Sequence, residues 1–80
     1  MRVRVTVMYK KGVLDPQGKT ILGSLHQLGY KEVTDVKAGK VLEISLPKMS
    51  KAQLEKKVKE MCDKLLANPI IEDYQLEVTE

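Results

Sequence analysis

The side chains of this sequence best suited to covalent chemistry are its one histidine, His26, and its one cysteine, Cys62. Nucleophilic catalysis needs a base held beside the nucleophile, and metal sites need several His, Cys or carboxylate ligands at short spacing. His26 lies at the border of the apolar stripe of a predicted helix, and Cys62 lies within the stripe of another. We interpret His26 as a partly exposed helix residue and Cys62 as a core residue. The sequence therefore predicts no catalytic set, no cofactor site and no metal site.

Phosphate and nucleic-acid binding are disfavoured as well. Gly12, Gly18 and Gly23 are spaced too widely for a glycine-rich phosphate loop, and the lysine pattern of such loops is missing. The net charge is +3, with both signs interspersed along the chain, and there is no Phe or Trp to stack on bases. A mild positive excess of this kind mainly favours solubility.

Two stretches are far more specific, residues 12–18 (GVLDPQG) and residues 65–72 (LLANPIIE). In the first, Asp15 is a carboxylate N-cap, and Pro16 stands at the first helical position, where a missing N–H costs nothing. In the second, Asn68 before Pro69 ends a helix, because the residue before proline avoids the α region. Both stretches join a strand to a helix and fix backbone direction, which indicates a shaping or bridging role.

A chain of 80 residues is expected to form one domain, residues 1–80. So short a chain buries a small core, and association with copies of itself or with partners is a common source of additional stability. One cysteine permits no disulfide within the chain, and neither a signal-peptide pattern nor a membrane-length apolar run is present. We therefore expect a cytoplasmic protein.

Apolar periodicity predicts the elements that position these stretches. Val3, Val5, Val7 and Tyr9 alternate with polar residues, as in a strand with one buried face. Further on, the pattern predicts a helix from Asp15 to the Gly29 cap, a hairpin over 32–46 turning at 38–40, a second helix opened by Ser50 and Gln53, and a last strand over 71–79.

This order predicts an α+β, ferredoxin-like βαββαβ fold, a four-stranded antiparallel sheet with two helices on one face. Right-handed crossovers place the first and third strands in the centre. The uncovered face then presents Arg4, Thr6 and Met8 beside Glu43 from the third strand and Gln75 or Glu77 from the fourth, and Arg4 could pair with either carboxylate. A polar face with little net charge suits packing against another protein.

The two stretches, together with LGY at 28–30 and AGK at 38–40, resemble the PurS family, the small subunit of phosphoribosylformylglycinamidine synthase. The resemblance covers nearly the whole chain. It implies a noncatalytic subunit of an ATP-dependent glutamine amidotransferase ligase in de novo purine biosynthesis. There, an amide is converted to an amidine with ammonia from glutamine, and this chain is expected to have no activity alone.

The resemblance also implies partners. The chain is expected to form a homodimer or higher homo-oligomer, to bridge the glutaminase and synthetase subunits, and to support ammonia transfer, while those subunits use ATP, magnesium and glutamine. By motif match, the structural or partner-contact residues are Gly12, Asp15, Pro16, Gln17, Gly18, Asn68, Pro69, Ile71, Glu72 and Tyr74.

Two alternatives stay open on the residues alone. One is a ferredoxin-like regulatory module that binds a small ligand at a dimer interface, and it predicts a saturable rise in melting temperature with one ligand and no partner. The other is a small acylphosphatase-like enzyme, which needs an arginine and an asparagine around phosphate. The sole asparagine, Asn68, is already used at a helix end.

Overall fold

The structure, a computed structural model, describes residues 1–79 as an antiparallel sheet of three strands with helices between them. The elements follow the order β1 (Arg2–Tyr9), α1 (Pro16–Gln27), β2 (Gly39–Ser45), α2 (Lys51–Met61) and β3 (Glu72–Val78). One turn of π-helix, Cys62–Leu66, continues α2 and is called the π segment below. The predicted first strand and the starts of both α-helices are confirmed.

The sheet has the order β2-β1-β3, with β1 in the centre. Val5 lies opposite Leu42 on one side and Leu76 on the other, so apolar residues of all three strands share one face. Arg4, on the opposite face, lies between Glu43 and Glu77, as predicted. The period-two alternation of β1 therefore separates a core face from a polar face.

The core lies between that apolar face and α2. It consists of fully or nearly fully buried residues from β1, α2 and the segment after it, namely Val3, Val5, Val7, Leu54, Val58, Cys62 and Ala67. Leu54, Val58 and Cys62 follow one another at four-residue spacing, which aligns them on one side of the helix. The prediction that Cys62 is a core residue is confirmed.

The predicted hairpin over 32–46 is wrong, and with it the fourth strand. Residues 31–38 form no strand, and the strand predicted to be central is β2, an edge strand paired with β1. The error arose at Gly39, which has no positive φ and is a strand residue rather than a turn residue. Its missing side chain is needed for a different reason, because a Cβ there would collide with the Met8 sulfur and lie 2.5 Å from the Val7 carbonyl oxygen.

Residues 10–38, which we call the arm, lie outside the core. No apolar residue of α1 joins the core cluster, and Ile21 and Leu28 are 42% and 74% exposed. The protein measures 49 × 26 × 15 Å, and its radius of gyration is 16.0 Å. A compact domain of this length has about 12 Å, so the fold is elongated. The two helices do not share one core as the four-stranded fold requires.

Candidate functional site

The two specific stretches of the sequence meet at one end of the sheet. This end, called the loop end, comprises residues 10–18, 37–40 and 68–73, where β1 ends and β2 and β3 begin. Tyr9 pairs with Glu72, and the amide of Lys10 donates to the Ile71 carbonyl oxygen at 2.8 Å. The loop end is therefore the candidate functional site.

Asp15 has two hydrogen-bond partners at the base of the arm. Its Oδ1 accepts from the Gly18 amide at 2.9 Å, as an N-cap should, and its Oδ2 accepts from the Ala38 amide at 2.8 Å. These bonds, first the one from Gly18 and then the one from Ala38, lower the pKa of the Asp15 carboxyl below its ordinary value. Pro16 occupies the first helical position, as predicted.

Two glycines give the chain its direction here. Gly12 has φ = 86°, a left-handed conformation that favours glycine, and it turns the chain away from β1. Gly18 is the buried residue of α1, and a Cβ there would collide with the backbone oxygen of Val36. Its neighbour Gln17 lines a cleft of about 240 Å³ together with Lys40, Glu72 and other residues.

The chain between the π segment and β3 forms a braced corner, Asn68–Glu72. The Asn68 side-chain oxygen accepts from the Ile70 amide at 3.0 Å, and the Asn68 amide donates to Glu72 Oε1 at 2.7 Å. The Glu72 amide donates in turn to the Asn68 carbonyl at 2.7 Å. Asn68 and Glu72 are thus joined by two hydrogen bonds that use the backbone amides of both residues, and Pro69 lies between them in the sequence.

Tyr74 ties β3 to the π segment. Its hydroxyl donates to Asp63 Oδ1 at 3.2 Å, and its ring packs against the core. Burial, and then the Asp63 charge, raises the pKa of Tyr74. The same two causes, in the same order, raise the pKa of the Cys62 thiol, which is fully buried and therefore protected from reagents.

Large apolar side chains are exposed at the corner and in the arm, besides Val41 and Val78 in the sheet. Leu65 and Ile70, beside and within the corner, are 82% and 81% exposed. In the arm, the α1 stripe that periodicity marks as one-sided faces no core residue of its own chain. The pattern showed that this stripe is apolar but carried no signal of what covers it.

The far end of the arm has a contact that the sequence did not indicate. His26 Nε2 lies 2.7 Å from the carbonyl oxygen of Val33 and donates a hydrogen bond to it in the tautomer that protonates Nε2. This bond joins α1 to the segment that returns towards β2. His26 is half-buried, which agrees with its interpretation as a partly exposed helix residue.

The chemistry of the loop end is hydrogen bonding and shape. Among residues 1–79, no group of three or more His, Cys, Asp or Glu side chains is placed to hold a metal ion. None of the helices in the described part of the chain is long and apolar enough to cross a membrane. At the loop end, Lys10 Nζ lies 3.9 Å from an Asp73 carboxylate oxygen in an exposed ion pair, and such pairs stabilise a fold little.

Known proteins resemble this chain over almost its full length. Residues 2–80 match the family profile described as "PurS: Phosphoribosylformylglycinamidine (FGAM) synthase". The phosphoribosylformylglycinamidine synthase subunit PurS of Bacillus subtilis is 51% identical over 79 residues, which cover 99% of this chain and 93% of that protein. The PurS subunit of Methanocaldococcus jannaschii is 40% identical over 96% of this chain and 93% of its own.

Solved structures agree with these sequence matches. Bacillus subtilis PurS superposes with a TM-score of 0.89 at 51% identity, covering 99% of this chain and 98% of that one. A chain in the structure of PurLQS from Thermotoga maritima has a TM-score of 0.84 at 29% identity, covering 95% of this chain and 93% of its own. The elongated shape with its projecting arm thus belongs to a backbone that solved proteins share.

Proposed function

From the premise that this chain belongs to the PurS family, and is a small subunit of phosphoribosylformylglycinamidine synthase in purine biosynthesis, we propose that it is a noncatalytic assembly subunit. It forms a homodimer or higher homo-oligomer through the arm and bridges the glutaminase and synthetase subunits. Those partners use ATP, magnesium and glutamine, and this chain supports ammonia transfer between them. We also propose a cytoplasmic location, which a free, buried Cys62 suits.

The observation that supports the homo-oligomer is the apolar stripe along α1 and its C-cap, in which Ile21 and Leu28 are exposed and Leu22 and Leu25 are half-buried. Its apolar residues Ile21, Leu22, Leu25 and Leu28 follow helical spacing, yet none of them joins the core. Exposed apolar surface of this kind on one helix favours a protein interface. The missing stability of a small core then comes from contact between chains.

A second copy suits this stripe because α1 has little charge. Among its twelve residues, Lys19 is the one Lys, Arg, Asp or Glu side chain. Two such helices related by a two-fold axis bring apolar residues together and place few like charges in contact. A highly charged helix would oppose that arrangement.

The corner supports contact with the larger subunits. Ile70 is an exposed apolar side chain on backbone that Asn68 and Glu72 brace, so little conformational freedom remains to be lost on binding, and exposed Leu65 lies beside it in the π segment. The related Thermotoga maritima chain belongs to a structure described as PurLQS, which indicates assembly with two other subunits. We propose the corner as a contact with one of them.

Reconstitution tests this function. The purified chain is mixed with the glutaminase and synthetase subunits, and glutamine-dependent amidine formation is measured with each component left out in turn. We expect no turnover by this chain alone and turnover when all three are present. Full activity of the two larger subunits without it contradicts the proposal, as does turnover by this chain unaided.

The corner has a matched pair of variants. Ile70→Asp places a charge within the corner, whereas Ala52→Asp adds the same charge at an exposed position of α2. We expect Ile70→Asp to weaken binding to one larger subunit at least roughly tenfold, as loss of a central contact does. Ala52→Asp should leave affinity unchanged, and equal affinities for the two variants refute the assignment of the corner.

A further inference from the structure

The two oxygens of the Asp15 carboxylate hold different parts of the chain. Oδ1 accepts from Gly18 three residues ahead and begins α1, whereas Oδ2 accepts from Ala38, which is distant by 23 residues. We propose that Asp15 is the positioning residue of the arm. Its Oδ2–Ala38 bond joins the two sides of the neck, residues 10–18 and 36–39, and sets the direction of the arm relative to the sheet. The consequence for assembly rests on the proposed function of the arm.

The neck is the place where both sides of the arm join the sheet. β1 ends at Tyr9, and the chain returns through Ala38 into Gly39, which pairs with Met8. The outgoing side leaves through Gly12, whose left-handed backbone changes the chain direction. Because the core contributes no apolar contact to α1, hydrogen bonds at the neck have a large share in fixing its direction.

The backbone is closely packed beside the hydrogen bond between Asp15 Oδ2 and the Ala38 amide. Gly18 approaches the Val36 backbone so closely that a Cβ would collide with the Val36 oxygen. The return segment is thereby held against the first turn of α1, next to the Asp15 carboxylate. At the far end, the His26–Val33 bond joins the same two sides. Hydrogen bonds therefore join the two sides of the arm at both of its ends, and the Asp15–Ala38 bond is the one nearer the sheet.

An asparagine at position 15 separates the two tasks of the carboxylate. Asn is as good an N-cap as Asp, so its oxygen still accepts from Gly18. Its amide nitrogen has only donors and cannot accept from Ala38. A second variant, Asp15→Ser, keeps a capping oxygen and leaves no second acceptor. Ser50→Asn is the matched control, since Ser50 caps α2 with one bond to Gln53 and has no partner in the arm.

Amide hydrogen exchange, measured by NMR on the full chain, reads both bonds in one sample. In Asp15→Asn and Asp15→Ser, we expect protection of the Ala38 amide to fall at least roughly tenfold, the size of a lost hydrogen bond to a charged group. Protection of the Gly18 amide should change by less than about threefold, because the cap remains. Ser50→Asn should leave both amides unchanged.

Sedimentation equilibrium tests the link to assembly. We expect the wild type and Ser50→Asn to associate equally, and both Asp15 variants to associate at least about fivefold more weakly. Unchanged Ala38 protection overturns the positioning role, as does an equal loss at Gly18 and Ala38, which indicates a cap alone. Equal association of wild type and Asp15→Asn overturns the link to assembly. A wild type that stays monomeric refutes the arm interface, whereas the exchange data still test whether Asp15 positions the arm through Ala38.

Discussion

Two glycines of α1 give opposite predictions for the same substitution. Gly18 and Gly23 both belong to α1, Gly18 in its first turn and Gly23 in its middle, and alanine favours helical backbone over glycine at both positions. At Gly23, an added Cβ meets nothing within 4 Å, whereas at Gly18 it collides with the Val36 backbone and lies 2.6 Å from Asp15 Oδ2. The comparison therefore isolates the close approach at the neck from the general effect of removing a glycine.

The magnitudes follow from these surroundings. Gly23→Ala should stabilise the protein by about 0.5–1 kcal/mol, the usual cost of a helical glycine. In a domain of this size, that raises the melting temperature by about 2–8 °C. Gly18→Ala has a gain of this kind, but overpacking against backbone costs about 1–3 kcal/mol. We expect a net loss of about 1–2 kcal/mol, because a carbonyl oxygen yields less easily than the end of a flexible side chain.

Urea denaturation measures both variants, followed by circular dichroism at two protein concentrations so that association is separated from folding. The expected result is a higher midpoint than wild type for Gly23→Ala and a lower one for Gly18→Ala, with similar slopes. If Gly18→Ala is as stable as Gly23→Ala, the contact between Gly18 and Val36 is not close enough to hold the return segment against α1.

Three further predictions use the same unfolding and labelling assays. Leu54→Ala, in the core, should cost about 2–5 kcal/mol, whereas Leu65→Ala, 82% exposed, should stay within about 0.5 kcal/mol; equal losses contradict the assigned core. Cys62 is buried, so a thiol reagent at pH 8 should label it on the order of 100-fold faster in denaturing urea, since native labelling requires opening. In the folded protein the Asp15 carboxyl has a pKa below its ordinary value of 3.8. The unfolded state therefore binds the Asp15 proton more tightly than the folded state does. The stabilising effect of the carboxylate is complete above the unfolded-state pKa and is lost as the pH falls through the folded-state pKa. Wild type should therefore lose more stability than Asp15→Asn between about pH 5 and pH 3 in urea titrations, and parallel losses argue against the two Asp15 bonds.

Local patterns predicted the parts of the fold that local forces decide. The Asp15 and Ser50 caps each bond to an amide three residues ahead, so sequence spacing alone identified them. The alternation of β1 identified its buried face because that strand is central and one face of the sheet is covered. The second oxygen of Asp15 was not foreseen, since Ala38 is distant in sequence and no spacing rule links the two residues.

The error in the hairpin has a physical origin in glycine itself. Glycine is needed where φ is positive and also where another group approaches the Cα, and the sequence does not distinguish the two needs. Gly29 has φ = 103° and was correctly predicted as a helix cap, whereas Gly39 leaves room for Met8. Position 39 therefore belongs to an edge strand, and the residues before it return along the arm.

The apolar stripes of α1 and α2 show how far periodicity determines packing. Both helices have apolar residues at helical spacing, but the α2 stripe is buried against β1, whereas the α1 stripe is half-buried at Leu22 and Leu25 and exposed at Ile21. The arm, more than a third of the chain, contributes no apolar side chain to the core of its own chain. Ordering it costs conformational entropy that the core does not offset. Under the proposed association through the arm, burial between chains offsets part of that cost, so the melting temperature should rise with protein concentration, and a constant value over a hundredfold range would contradict the proposed coupling.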